Sequence, residues 1–199
     1  MKIGFIGAGN MARALGPLWQ AAGHEVLYSS RHPHGADVVT VDEASAFGDV
    51  LVLAVNYWLM PEAVESLGDV SGRVLIDISN PIAPKTDEPG KWGRTIPAGE
   101  TAFEHNVDLA PGASWGKAWP SLGASVIASR HHEEPRVAVG YAATDDAAAT
   151  VTARLIEDAG FEPVAVGGVE GAALIEMGGA VGGKALTADE MRERIATSL

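Results

Sequence analysis

The opening of the chain constrains its fold more than any other stretch. A short apolar run, Lys2-Ile3-Gly4-Phe5-Ile6, leads into Gly7-Ala8-Gly9-Asn10-Met11-Ala12 and then into a helical pattern. A second apolar run, Glu25-Val26-Leu27-Tyr28, ends in Ser29-Ser30-Arg31-His32. Strand, glycine-rich turn, helix and strand in that order form the first unit of a dinucleotide-binding fold. Gly7 permits the tight turn, Gly9 lets the backbone approach a pyrophosphate, and the small Ala12 lets helix and strand pack closely. The helix N-terminus, with its free N–H groups and macrodipole, then faces the anion.

The end of the second strand indicates the nucleotide. A site for NAD(H) places Asp or Glu there, to hold the ribose 2′-OH. This chain offers Ser29, Ser30 and Arg31, with His32 and His34 close behind. Hydroxyls and a forked guanidinium suit a 2′-phosphate, so NADP(H) is expected.

Composition narrows the class. The 199 residues are enough for one substantial core with a small appendage. No apolar run is long enough to span a bilayer, and Met1-Lys2 leads directly into a strand, so a cytoplasmic protein without a signal peptide is expected. The absence of cysteine excludes disulfides, thiolate metal sites and a thiol nucleophile. A formal net charge of −12 without a basic run argues against nucleic acid. The sequential His131-His132-Glu133-Glu134 lacks the spacing of converging ligands, so no metal is expected.

Farther along, strand-like and helical patterns alternate. Asp49 to Val55 and Arg73 to Ile78 are apolar on both faces, as strands covered by helices on each side must be. The expected architecture is α/β, a Rossmann-like doubly wound parallel sheet with a short helical C-terminal extension. Residues 1–168 form the NADP-binding domain and 169–199 a helical piece. Residues Pro81 to Gly99 hold four of the eleven prolines and read as an irregular loop. Glu100 to Leu109, Asp145 to Ala159 (capped by Thr144), Val169 to Ala180 and Thr187 to Leu199 read as helices. Met191 and Ile195, one turn apart, offer an apolar stripe either to a second subunit, as in a homodimer, or to the chain's own domain.

In an open α/β sheet, ligands bind beyond the carboxyl ends of the strands, where strand order reverses. The segments expected there are Gly7 to Met11, Val55-Asn56-Tyr57-Trp58, Ser79-Asn80-Pro81 and Gly116-Lys117-Ala118-Trp119. Asn56 and Asn80 suit ribose hydroxyls or a carboxamide, and Met11, Tyr57, Trp58 and Trp119 offer surface for rings. Lys117 is the best candidate for proton transfer, with a carboxylate pair as its alternative, and His105 reads as structural or solvated. A crevice poor in acids and bases suits hydride transfer by positioning, without a catalytic side chain.

The order of these motifs resembles the NADPH-dependent reductases of the deazaflavin coenzyme F420. The likeness rests on Gly-Ala-Gly-Asn-Met, on Ser-Ser-Arg, on Asp77-Ile78-Ser79-Asn80-Pro81-Ile82 and on Gly116-Lys117-Ala118-Trp119. It continues through Gly160-Phe161-Glu162-Pro163-Val164, Gly167-Gly168-Val169-Glu170 and Leu174-Ile175-Glu176. The first motif is shared with pyrroline-5-carboxylate reductases. The resemblance implies that Gly7, Ala8, Gly9, Asn10 and Met11 cradle the pyrophosphate, and that Ser30 and Arg31 hold the 2′-phosphate. Asn80 and Pro81 would line the nicotinamide ribose, and Val55, Asn56, Lys117, Ala118 and Trp119 complete the expected cofactor-binding residues, Trp119 on the wall beside the second cofactor. Trp119-Pro120-Ser121 departs from the family's Phe-Asn-Thr and reshapes that wall. Two alternatives to F420-linked hydride transfer are reduction of a small imine or carbonyl compound and non-catalytic NADP binding.

Overall fold

The computed structural model describes residues 1–33, 35 and 37–198; His34 lies outside them. In chain order the elements are β1 (Lys2–Ile6), α1 (Asn10–Ala21), β2 (Glu25–Ser29), β3 (Val38–Val39), α2 (Val41–Phe47) and β4 (Val50–Leu53). A 3-10 turn (Tyr57–Leu59) opens α3 (Met60–Glu65), then come β5 (Val74–Asp77), β6 (Ile82–Pro84), β7 (Trp92–Arg94) and α4 (Ala102–Val107). The remainder is β8 (Ser114–Ala118), α5 (Ala124–Arg130), β9 (Ala138–Ala143), α6 (Asp146–Asp158), β10 (Glu162–Ala165), α7 (Ala172–Ile175) and α8 (Ala188–Ala196).

The eight-stranded main sheet has the order β10-β9-β8-β5-β4-β1-β2-β3. From β3 to β8 all neighbours are parallel, and strand order reverses between β1 and β4. Successive residues of a strand face opposite sides, so β4 and β5 feed both layers. Val50, Val52 and Ile76 join Ile3, Phe5, Trp19, Leu155 and Phe161 under α1 and α6. Leu51, Leu53 and Leu75 join Ala44, Met60, Val64, Phe103 and Trp115 under α2, α3 and α4. That two-sided burial is what makes the sheet doubly wound.

The first layer is organised by aromatic rings. Phe5 stacks between Trp19 and Tyr28, with centroids 5.3 and 5.4 Å away. Trp19 meets Trp119 edge-on at 5.5 Å, and its indole N–H donates to the Leu155 carbonyl at 2.8 Å.

The second fastening is ionic. Lys117, fully buried on β8, donates from Nζ to Asp77 Oδ2 at 2.7 Å and to the Ser79 carbonyl at 2.8 Å. Glu176 Oε1 lies 3.3 Å from the same Nζ. Glu176 also accepts the backbone N–H groups of Ala102 and Phe103, at 3.0 and 3.1 Å, and Asn106 donates to Asp77 at 2.8 Å. One cation therefore ties together the ends of β5 and β8, the start of α4 and the segment after α7.

Four details depart from the sequence reading. First, β9 runs antiparallel to β8. A parallel return must cross the whole sheet, and the seven-residue α5 covers only about 10 Å at 1.5 Å per residue. The thirteen-residue α6 is long enough, and β10 is parallel to β9. Second, α5 itself carries no strong sequence signal: its N-cap is Gly123, without a side-chain cap, and Val126 and Ile127 are β-branched. Third, the proline-rich segment 81–99 contains the antiparallel hairpin β6–β7. Fourth, α6 is capped by Asp145, which accepts from the Ala148 N–H at 2.8 Å, rather than by Thr144, and residues 169–180 hold only a 3-10 turn and α7 before a glycine-rich segment.

The C-terminal helix α8 begins with a reciprocal cap between Thr187 and Glu190 and packs on β9 and β10. Met191 is fully buried against Ala138, Val164 and Ile175, and Ile195 leans on the same cluster. The stripe is thus taken up by the chain's own domain.

Trp19→Ala should cost about 3–5 kcal/mol in reversible chemical denaturation, and a loss below about 1 kcal/mol would remove the aromatic stack from the core's essential contacts. Lys117→Met should cost a comparable 3–5 kcal/mol, because it leaves carboxylates buried without their cation.

Candidate active site

Beyond the carboxyl ends of β1, β4 and β5 runs a trough of three adjoining cavities. The first, about 320 Å³, lies between Ser30, Arg31 and the start of α3. The second, about 480 Å³, covers Gly7 to Met11 and reaches Asn56, Tyr57 and Asn80. The third, about 370 Å³, is walled by Ile78, Trp119, Pro120, Leu122 and Met177. Gly7, Val55 and Leu59 are common to the first and second, and Met11, Ile78, Asn80 and Ile82 to the second and third. A larger hollow of about 640 Å³ lies along α8, between Glu190, Glu193 and Arg194, and shares no lining residue with the trough.

The glycine turn has the geometry its sequence implied. Gly7 has φ +111°, and a Cβ there would stand 2.5 Å from the Ala54 carbonyl oxygen, so only glycine fits. A Cβ on Gly9 would meet nothing within 4 Å, because that position borders open space at the N-terminus of α1. Ala12 is fully buried beneath the turn. The first-turn N–H groups of the twelve-residue α1 thus stand at the trough, where an anionic group is favoured.

At the first cavity Ser29 and Ser30 differ in role. Ser29 is buried and its hydroxyl donates to the Phe5 carbonyl at 2.8 Å, a contact inside the sheet. Ser30 lines the cavity. Arg31 Nη1 donates to both carboxylate oxygens of Glu62, each at 2.9 Å, with both side chains more than half exposed. Glu62, on the first turn of α3, has no counterpart in the sequence reading; only the fold brings that turn to Arg31, just after β2. Arg13 pairs with Asp37 and lies over the Tyr28 ring, 4.3 Å from its centroid.

In the second cavity Ala8, Asn10, Met11, Val55 and Asn56 border the open space. Asn80 does too, but its amide is already engaged: Nδ2 donates to the Pro120 carbonyl at 2.7 Å and Oδ1 accepts the Met177 N–H at 2.9 Å. It thereby holds two walls of the third cavity in register. Pro81 is buried and borders none of the three. Lys117 and Ala118 lie wholly beneath the floor. Trp119 has φ +58°, and its ring sits in the core with one side against the third cavity.

Two aromatic features come from chain reversals that the sequence did not reveal. Trp92, on the hairpin, borders the second cavity and leans on Trp58, with centroids 5.9 Å apart. Tyr57 Oη lies 2.7 Å from His105 Nδ1, and His105 Nε2 lies 2.8 Å from Glu100 Oε2. Burial first, then the carboxylates of Glu176, Glu100 and Asp77, push the Tyr57 phenol above the usual tyrosine range. The crevice is therefore not devoid of proton-carrying groups, and His105 is neither isolated nor merely solvated. Among the described residues no cluster of three or more His, Asp or Glu is placed to hold a metal ion, and no helix is long and apolar enough to cross a membrane.

Known proteins share this fold. Residues 2–81, from β1 past the end of β5, match the family described as NADP oxidoreductase, coenzyme F420-dependent. A hypothetical protein from Sinorhizobium meliloti is similar over 94% of this chain and 95% of its own, at 27% identity and a TM-score of 0.79. A protein from Arthrobacter sp. FB24, provisionally named an F420-dependent NADP-reductase, has 20% identity and a TM-score of 0.74, covering 85% of this chain and 86% of its own. An imine reductase from Streptomyces aurantiacus has the same fold at 20% identity and a TM-score of 0.58; 86% of this chain matches only 57% of that protein. The matched segment, residues 2–81, is thus similar to NADP oxidoreductases, and the whole chain shares its fold with these solved structures.

Proposed function

We propose that the chain binds NADP(H) along the trough and transfers a hydride between the nicotinamide and a second ligand, a deazaflavin coenzyme of the F420 type. The observation that carries this reading is the continuity of the three cavities, which runs from Arg31, past the N-terminus of α1, to the apolar compartment beside Trp119. The adenosine 2′-phosphate belongs at Ser30 and Arg31, the pyrophosphate at Gly7 to Met11, and the nicotinamide beside Asn56 and Asn80. The third compartment, lined by Ile78, Ile82, Trp119 and Leu122, suits a flat acceptor ring. The protein contributes proximity and orientation, and the electrons are the cofactor's. Support for the deazaflavin comes from the family description and the Arthrobacter protein's name.

The second reading, reduction of a small imine, is favoured by the likeness to the Streptomyces aurantiacus reductase. Following NADPH oxidation with the oxidised deazaflavin and, separately, with a cyclic imine decides between them. Turnover with the deazaflavin upholds the first reading, and turnover only with the imine upholds the second. Tight NADPH binding without either turnover leaves a non-catalytic NADP-binding protein.

Arg31 must leave Glu62 to take up a phosphate. Arg31→Glu should therefore weaken NADPH about 10- to 100-fold, the value of a charge-assisted contact, while NADH changes little in titration calorimetry. Glu62→Gln should tighten NADPH about two- to fivefold, the value of an exposed ion pair. Equal effects on both nucleotides would remove the phosphate from this end. Gly9→Val should abolish NADPH binding and leave the thermal midpoint within about 2 °C, the range of a surface substitution, because the added side chain meets only the ligand's space.

A further inference from the structure

Resting on the reading above, we infer that Tyr57 is a general acid in the crevice, resupplied with a proton by His105, whose ring Glu100 holds in register. Tyr57 borders the second cavity, beside Asn56, Asn80 and the glycine turn. Glu100 borders a separate open hollow of about 310 Å³, next to Arg94 and Glu176. His105 stands between them with both ring nitrogens engaged, at 2.7 Å to Tyr57 and 2.8 Å to Glu100. The three side chains thus form one row from the crevice to that hollow, which shares no lining residue with the second cavity.

The chemistry follows from the donor inventory. With a neutral imidazole, Nε2–H donates to Glu100 and Nδ1 accepts the Tyr57 O–H. With an imidazolium, Nδ1–H donates to the Tyr57 oxygen, and the phenolic proton is free to point at a ligand. An acceptor built on a C=N bond, isolated in an imine or conjugated in a deazaflavin, takes a hydride on carbon and a proton on nitrogen. The hydride pair comes from NADPH, which leaves as NADP⁺. The proton comes from the Tyr57 O–H, and the phenolate recovers one from His105 Nδ1–H. The ring, left as the neutral tautomer with its Nε2–H on Glu100, regains its proton at Nδ1 from water that enters the crevice as product leaves.

The surroundings keep the acid charged with its proton. Glu100, Glu104, Glu176 and Asp77 are the carboxylates around the relay, and Lys117 and Arg94 the cations. Lys117 is committed to Asp77 and Glu176, while Arg94 donates to the backbone carbonyls of Met177 and Glu100. Glu104 is held by the Thr101 cap. The negative surroundings and burial oppose phenolate formation, so Tyr57 stays protonated at neutral pH.

The test combines turnover with measurements on the free protein. Tyr57→Phe should lower kcat about 100-fold, within the range of general acid catalysis, leave the NADPH dissociation constant unchanged, and abolish the decline of kcat at rising pH. His105→Gln should lower kcat without that full loss. In the free protein, nitrogen NMR should find His105 as the Nε2–H tautomer when neutral, with its Nδ1 signal displaced by Tyr57→Phe. Glu100→Gln should move the Tyr57 phenol titration, read by ultraviolet difference against Tyr57→Phe, toward lower pH. An unchanged kcat and pH profile in a Tyr57→Phe protein that still binds NADPH would overturn the relay alone. Absence of NADPH binding in the wild type would overturn the functional reading instead, and an Nδ1 signal indifferent to Tyr57→Phe would then dispose of the relay as well.

Discussion

The buried contact between Lys117 and Asp77 fixes the geometry on which the trough depends. It sits where the parallel part of the sheet ends, between β5 and β8, just before the chain turns to the antiparallel β9. Two carboxylates share the one ammonium there. The surplus negative charge is tolerated because Glu176 receives two backbone N–H groups from α4 and Asp77 receives the Asn106 amide. A buried ion pair gains little over a hydrophobic substitute, but breaking one side of it is expensive. The cluster's value is therefore positional: four segments distant in sequence can meet at one point only.

That point sets the walls of the active crevice. Ser79 follows Asp77 by two residues and gives its carbonyl to Lys117; Asn80 comes next and bridges Pro120 and Met177. The same α4 whose first N–H groups hold Glu176 carries His105 one turn later, facing Tyr57. Floor, far wall and the Tyr57–His105 contact are thus anchored to a single ionic junction. The near wall depends instead on the aromatic stack under β1, which holds α1 at the height where Gly9 borders the open space.

Local signals made the first part of this arrangement legible in the sequence. Gly7, Gly9 and Ala12 declare their roles because a tight turn, a close approach and a close packing each demand a small residue. The runs at Val50–Leu53 and Val74–Asp77 declare a two-sided sheet because their apolar character does not alternate. What stayed hidden depends on contacts made only after folding. Lys117 could be seen as a partner for some carboxylate, but which one depended on the pairing of β5 with β8. Glu62 meets Arg31 across 31 positions and Tyr57 meets His105 across 48, and nothing in the spacing of either pair signals a bond. The antiparallel β9 was concealed for a different reason: the length of α5 decides the strand's direction, and α5 lacks a capping side chain that would mark it.

One apparent conflict resolves on the scale of distances. A chain of net charge −12 is a poor overall partner for a ligand carrying several phosphate charges. Exposed charges farther than about 10 Å are largely screened at ordinary ionic strength, however, while close, partly desolvated ones are not. In the proposed binding mode the ligand's phosphates face the N–H groups of α1 and the Arg31 guanidinium, and the carboxylate of Glu62 there is paired with Arg31 itself. Binding in that mode would depend on a handful of directed donors rather than on the protein's field. Added salt weakens the Arg31 contact and the long-range repulsion together, so the net effect on affinity is smaller than the phosphate count suggests. A basic nucleic-acid site lacks this partial cancellation, because there field and contacts have the same sign.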